Sequence, residues 1–187
     1  MTIKITKIKT DFTGVKLPAD HSIRGKAFED ILAQTGNPVS KGSGPDYPEY
    51  GLEVKTKDIS SNSANSVGSM TYEDIKLTPY DESPIAKKIK QQFRVKVNKE
   101  GVIINTRVYD FTPDFIQEKL REAYESARIK IIKGDNSDYI AGTKFGYFER
   151  KKGKDNKETN SWAFRISVGA MDTLESMSKS KYSELFE

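Results

Sequence analysis

The residues best placed by type and spacing to do chemistry run from position 45 to position 55: Pro45, Asp46, Tyr47, Pro48, Glu49, Tyr50, Gly51, Leu52, Glu53, Val54 and Lys55. Side chains alternate faces along a strand, so Glu53 and Lys55 share one face and Val54 takes the other. Asp46 lies seven positions before Glu53, which in an extended chain is about 23 Å. Pro45, Pro48 and Gly51 bend the chain and can return Asp46 to the side of Glu53. Two carboxylates, a backbone carbonyl and a lysine are what Mg²⁺-dependent phosphodiester hydrolysis requires. Mg²⁺ takes only one or two carboxylates and completes its octahedron with water and substrate oxygens, and it activates a water while neutralising phosphate charge. Asp46, Glu53 and the Val54 carbonyl are the candidate metal ligands. Lys55 is the candidate that orients the attacking water or offsets charge on the phosphate. With 31% of the residues charged, a solvated strand can carry the same pattern, so its surroundings have to be weighed with it.

Composition narrows the field. The 187 residues, 35% of them hydrophobic, are enough for one core, and we expect a single domain over 1–187. Without cysteine there are no disulfides or thiolate metal sites, which fits a reducing cytoplasm. A lone histidine, His21, argues against a Ser-His-Asp triad, an HNH-type nuclease or a multi-histidine zinc centre. No apolar run approaches the length of a membrane span and no leader pattern is visible, so an intracellular protein without membrane contact is expected. A formal net charge of +4 leans toward an anionic partner.

The elements that must position the cluster follow from periodicity. Residues 1–20 read as an extended or loosely ordered arm. Ser22 can cap a helix over 22–34 whose apolar stripe is Ile23, Ala27, Phe28, Ile31 and Leu32, closed by Gly36. The turn-rich stretch 37–51 leads into a strand over 52–57, and the polar stretch 60–69 reads as a mobile loop. Ser83-Pro84 opens a short basic helix through Gln92, followed by a hairpin of 93–98 and 102–111. Ile116, Leu120, Ala123, Ala127 and Ile131 mark a long helix from about 112 to 133, ended by Gly134. A second hairpin joins 145–151 to 162–168 through a polar tip at 152–160, and a last short helix begins near Ala170. This mixture predicts an α/β (α+β) fold with a central mixed sheet flanked by helices.

The order Asp46, Glu53, Lys55, with Pro45 ahead of it, matches the PD-(D/E)xK nuclease signature. More narrowly, the segment from Asp46 to Thr56 resembles the active-site segment of the MutH-type mismatch-repair endonucleases and their GATC-cleaving restriction relatives. That resemblance spans roughly residues 22–170 and implies a restriction-endonuclease-like core. It implies that Glu29, in Gly25-Lys26-Ala27-Phe28-Glu29-Asp30-Ile31-Leu32, is the supporting acid of an upstream helix. It also implies that Lys88, in Ile85-Ala86-Lys87-Lys88-Ile89-Lys90, is a further active-site lysine, with Lys87 and Lys90 available to phosphates. The catalytic set is then Glu29, Asp46, Glu53, Lys55 and Lys88, with Mg²⁺ as cofactor.

Double-stranded DNA is the implied partner. The basic hairpin at 145–168 carries Arg150, Lys151, Lys152, Lys154 and Lys157 beside Glu149 and Asp155, a pattern suited to clamping a duplex backbone. Arg165 stands where the family has a base-reading arginine, and a bidentate guanidinium suits guanine. The lysine that the family carries two residues later is Ser167 here, so the resemblance does not carry the family's GATC recognition over to this chain. Asn62 and Asn65 are further candidates for contact with a groove. The resulting expectation is a type II restriction endonuclease leaving 5′-phosphate ends, with a possible homodimer on DNA. The alternatives are a MutH-like strand-nicking repair endonuclease and a catalytically inactive DNA-binding protein of the same fold.

Overall fold

A computed structural model of the chain describes residues 11–42, 44–59, 65–167 and 169–170. The elements in chain order are α1 (His21–Gln34), β1 (Leu52–Asp58), β2 (Asn65–Thr71), α2 (Tyr72–Leu77), α3 (Pro84–Lys88), β3 (Gln91–Val97), β4 (Ile103–Asp110), α4 (Asp114–Ile132), β5 (Tyr139–Thr143), β6 (Gly146–Lys152) and β7 (Glu158–Ile166). The fold is mixed α+β. Its strands form two sheets, where the sequence suggested one: a mixed sheet ordered β1-β3-β4 and an antiparallel sheet ordered β2-β7-β6-β5. The described residues divide into two compact units, one holding 11–42, 44–59 and 91–110, the other 65–90, 111–167 and 169–170.

In the first unit β1 runs parallel to β3, and β3 antiparallel to β4. Phe28 and Leu32 of α1 pack with Leu52, Phe93, Val95, Val97 and Ile103. Phe12 meets Phe28 edge to face, with ring centroids 5.1 Å apart. The stretch expected to be a loose arm is therefore ordered from residue 11 onward. Phe12 and Leu17 are buried, and the Gly14 and Ile103 N–H groups donate to Ile103 and Val15 carbonyls at 2.8 and 2.9 Å. Two apolar residues in a polar stretch suffice to dock it; residues 1–10 lie outside the described set.

The α1 cap also differs from expectation. Asp20, rather than Ser22, is the N-cap, its carboxylate accepting the Ser22 N–H and hydroxyl at 2.8 Å each. The helix turns Ile23 outward and Arg24 inward, where the guanidinium ion-pairs with Asp58 and donates to the Pro18 and Ala19 carbonyls at 2.8 and 3.0 Å. A buried arginine is tolerated when its donors are matched in this way. Ala27, Phe28, Ile31 and Leu32 face the core as the periodicity predicts, but Arg24's partner lies far along the chain, so periodicity alone placed Ile23 inward and missed Arg24.

In the second unit α4 buries Ile116, Leu120, Ala123, Ala127 and Ile131, as its spacing predicts, and also Tyr124. Tyr124 packs on Phe148 and Phe164 of the antiparallel sheet at centroid distances of 5.3 and 5.8 Å. At Gly142 of β5 an added Cβ would lie 2.0 Å from the Ala123 carbonyl, so only glycine admits this approach of strand to helix. Within the stretch read as a mobile loop, residues 65–69 instead open β2, which pairs with β7. A bulge between Ser66 and Gly68 lets Val67 and Met70 both be buried, although their odd spacing hides the strand's period of two. The remainder of that loop, with Asn62, lies outside the described residues, as does the helix expected beyond Ala170. The basic helix opened by Ser83 ends at Lys88 rather than Gln92, because Gln91 and Gln92 are already buried strand residues of β3.

Candidate active site

The return of Asp46 to Glu53 is made by a tight reversal. Tyr47 and Leu52 exchange backbone hydrogen bonds at 2.9 and 3.2 Å across the Pro48 to Gly51 turn, with Gly51 at φ +59°. Tyr47 is buried and donates its hydroxyl to the Asn37 carbonyl at 2.7 Å, tying the reversal to the loop after α1; burial pushes this phenol far above its ordinary pKa. One residue before the bridge, Asp46 accepts the Val54 N–H on Oδ2 at 2.7 Å. Asp46 thus lies along the outer edge of β1, beside the pair that its sequence position had placed far away.

Backbone directions alternate along β1. The Gly51 carbonyl accepts the Gln91 N–H of β3, whereas Leu52 turns outward to Tyr47 and Val54 outward to Asp46. The N–H and C=O of one strand residue point to the same side, so the Val54 carbonyl faces the edge that Asp46 occupies. Leu52 is buried and Val54 partly buried against the α1 face of the sheet, and Glu53 and Lys55 project from the other. Lys55 Nζ lies 2.6 Å from Glu53 Oε1, with the Glu53 side chain 6% exposed and that of Lys55 33%. A buried carboxylate is held by the ammonium two residues on, as the alternation predicts.

Burial raises the Asp46 carboxyl above its ordinary pKa. The Val54 N–H opposes that rise, the Glu53 charge adds to it, Lys55 opposes it, and Glu29 adds a further share. Glu29 is thereby near enough for its charge to be felt at Asp46, and it sits on α1 beside Lys26, 3.6 Å away. Three acids and one lysine of the first unit form one electrostatic cluster. No set of three or more His, Asp or Glu side chains among the described residues is arranged as a metal cage. The set Asp46, Glu53 and the Val54 carbonyl still suits Mg²⁺, which needs few protein ligands.

The remaining candidates belong to the second unit. Lys87 is exposed and Lys88 half-buried at the end of α3, which is capped by the Ser83 hydroxyl; Lys90 follows, exposed. The basic hairpin has a shorter tip than expected, since β6 and β7 extend to Lys152 and from Glu158. Three of its cations are matched by acids of the hairpin and of the residue before β5. Arg150 lies 2.5 Å from Glu158 and 3.3 Å from Asp138, with its guanidinium 4.8 Å from the Trp162 ring centroid. Lys152 pairs with Asp138, and Arg165 with Glu149. Lys151 and Lys154 are exposed. Spacing alone could not show this pairing, because the carboxylates come from Asp138 just before β5, from β6 and from β7 together.

Compared with known proteins, the chain matches no protein-family model and no curated protein sequence. None of the described helices is long and apolar enough to cross a membrane.

Proposed function

We propose that this chain is a Mg²⁺-dependent endonuclease of the PD-(D/E)xK type with a restriction-endonuclease-like core, cutting double-stranded DNA as a type II restriction enzyme. The observation that carries the reading is the Asp46–Val54 hydrogen bond. It brings one carboxylate and one backbone carbonyl to the strand edge beside the Glu53–Lys55 pair. Asp46, Glu53 and the Val54 carbonyl would hold the metal, which supplies charge neutralisation and an acidified water. The chain's own part is to fix those oxygens in place and to present Lys55 toward the phosphate. There the ammonium offsets charge that develops as water oxygen bonds to phosphorus and the P–O3′ bond breaks. The attacking water gives up a proton to solvent, and the departing 3′-oxygen takes one up, leaving a 5′-phosphate and a 3′-hydroxyl. Glu29 supports the cluster through its charge, and Lys88 is assigned as an accessory lysine on the family resemblance alone.

The test is cleavage of unmethylated plasmid and phage-sized DNA with Mg²⁺, comparing wild type with Asp46→Ala and Lys55→Ala. Both variants should lose at least about a hundredfold in rate, the usual scale for removing one group that stabilises transition-state charge. A wild type inert over a broad DNA panel, or variants that cut as well as it does, would overturn the assignment. Linear product supports a double-strand cutter working as a homodimer, and accumulation of nicked circles supports the repair-type alternative.

A further inference from the structure

We propose that the cavity between the loop after α1 and the turn at Tyr47–Gly51 takes one amino-bearing nucleobase, adenine or cytosine, turned out of the duplex next to the scissile phosphate; this rests on the nuclease reading above. The cavity has a volume of about 210 Å³ and lies wholly within the first unit. A water needs only about 10–15 Å³, and drug-sized ligands take about 300–1,000 Å³. The space therefore suits one small ring system. Its walls are tied together at two points, the Ser40 N–H donating to the Asp46 carbonyl and the Tyr47 hydroxyl to the Asn37 carbonyl, both at 2.7 Å. A site held in this way is formed before its ligand arrives.

Asn37 sets the chemistry of the ligand. It lines the cavity, is only 3% exposed, and its Oδ1 has no hydrogen-bond partner among the described residues. The nitrogen fixes which way the amide lies: Nδ2 donates to the Thr35 carbonyl at 3.4 Å, and the flipped amide would set oxygen against oxygen. A buried acceptor left unmatched costs stability, so this atom calls for a donor. Pro38, Val39 and Pro48 give the cavity apolar walls against which a planar ring can lie, while the Ser40 and Glu49 side chains line it from exposed positions. Adenine and cytosine bring an exocyclic amine, whose two N–H groups can serve Asn37 Oδ1 and Glu49, beside a ring nitrogen that can accept the Ser40 hydroxyl. Thymine and guanine present a carbonyl at the corresponding ring position, oxygen against oxygen. Asp46, the proposed metal ligand, is also a wall of the cavity, so a base seated there belongs to a nucleotide adjoining the phosphate that is cut. From a duplex, a base reaches such a pocket by turning out of the stack.

Saturation-transfer NMR on the whole chain with deoxyadenosine, deoxycytidine and thymidine reads the cavity without DNA. The first two should bind wild type at least about tenfold more tightly than thymidine, the scale of matching one buried acceptor rather than facing it with another. Asn37→Leu removes the acceptor at similar volume; it should abolish that preference while melting no lower than wild type, because the oxygen it removes is unmatched. If Asn37→Leu proves unstable, Glu49→Ala, at an exposed position, should weaken deoxyadenosine binding at least about twofold. The DNA arm places 2-aminopurine at each position beside the cleavage point mapped from sequenced ends, with Ca²⁺ to keep the complex uncut. Its emission should rise severalfold at one position on binding wild type and stay flat with Asn37→Leu. Nucleosides that bind alike, or not at all, overturn the proposal; if wild type still cuts DNA, the nuclease reading stands without it. A preference among free nucleosides with no rise in emission puts a soluble nucleotide in the cavity and overturns extrusion from the duplex. The same preference in a protein that cuts no DNA keeps the cavity as a base site and removes the nuclease reading.

Discussion

Replacing Asp46 by Asn and by Ala should move stability in opposite directions. The carboxyl sits half-buried near Glu53 and Glu29, and its pKa is raised above 3.8, chiefly by burial. A raised folded-state pKa means that the native state prefers the neutral form, so the ionised carboxylate costs stability at neutral pH. Asn is a neutral mimic that can still accept the Val54 N–H. Asp46→Asn should therefore stabilise the metal-free protein, by about 0.5 kcal/mol once solvent screening of a half-buried group is allowed for. For a chain of this size that raises Tm by roughly 1–2 °C. Asp46→Ala removes the acceptor as well and should cost about 1 kcal/mol, the low end for an unmatched donor, because water reaches the half-buried Val54. Thermal melting in EDTA reads both. Repeating it in Mg²⁺ separates fold from site: binding at ten times Kd stabilises wild type by about 1.4 kcal/mol, and neither variant should gain it. If Asp46→Asn melts as low as Asp46→Ala in EDTA, the buried-charge argument fails. If Mg²⁺ protects the variants as much as wild type, Asp46 is no ligand.

Three further outcomes follow from the geometry. The Asp46 share of metal-free stability should grow as pH falls through its raised pKa and level off below 3.8, since the native state binds that proton more tightly than the unfolded chain; Mg²⁺ protection should fade over the same range, and a pH series of melts in which Asp46→Asn behaves like wild type would refute this. Arg24→Met leaves Asp58 without its buried guanidinium partner and three carbonyls without a donor, and should cost about 3–5 kcal/mol in urea unfolding; a change under 1 kcal/mol would show the network to be dispensable. Tyr47→Phe removes the 2.7 Å bond to the Asn37 carbonyl, costing about 1–2 kcal/mol, and should weaken Mg²⁺ protection by loosening the loop that carries Asp46; unchanged metal protection would mean that the turn holds itself.

The candidate site was legible in the sequence to the extent that its geometry is local. Pro48 and Gly51 announce the reversal, strand alternation places Glu53 beside Lys55, and both conclusions survive as the Tyr47–Leu52 bridge and the 2.6 Å pair. The long helix was equally plain, because Ile116 through Ile131 repeat at helical spacing over about four turns with no competing signal. What escaped depends on residues distant in sequence. Arg24 faces inward because Asp58 meets it there, and β2 hides because a bulge breaks its alternation. Arg150, Lys152 and Arg165 of the hairpin looked available because their acids lie on the facing strand or just before β5. The same limit hid an alignment of cations across the first unit's sheet. Lys55, Arg94 and Arg107 are unremarkable one at a time, and only the register of two strand pairs aligns them. Composition therefore located positive charge in the segment where it is densest in sequence, while strand register aligns cations that are sparse in sequence and meet only across the sheet.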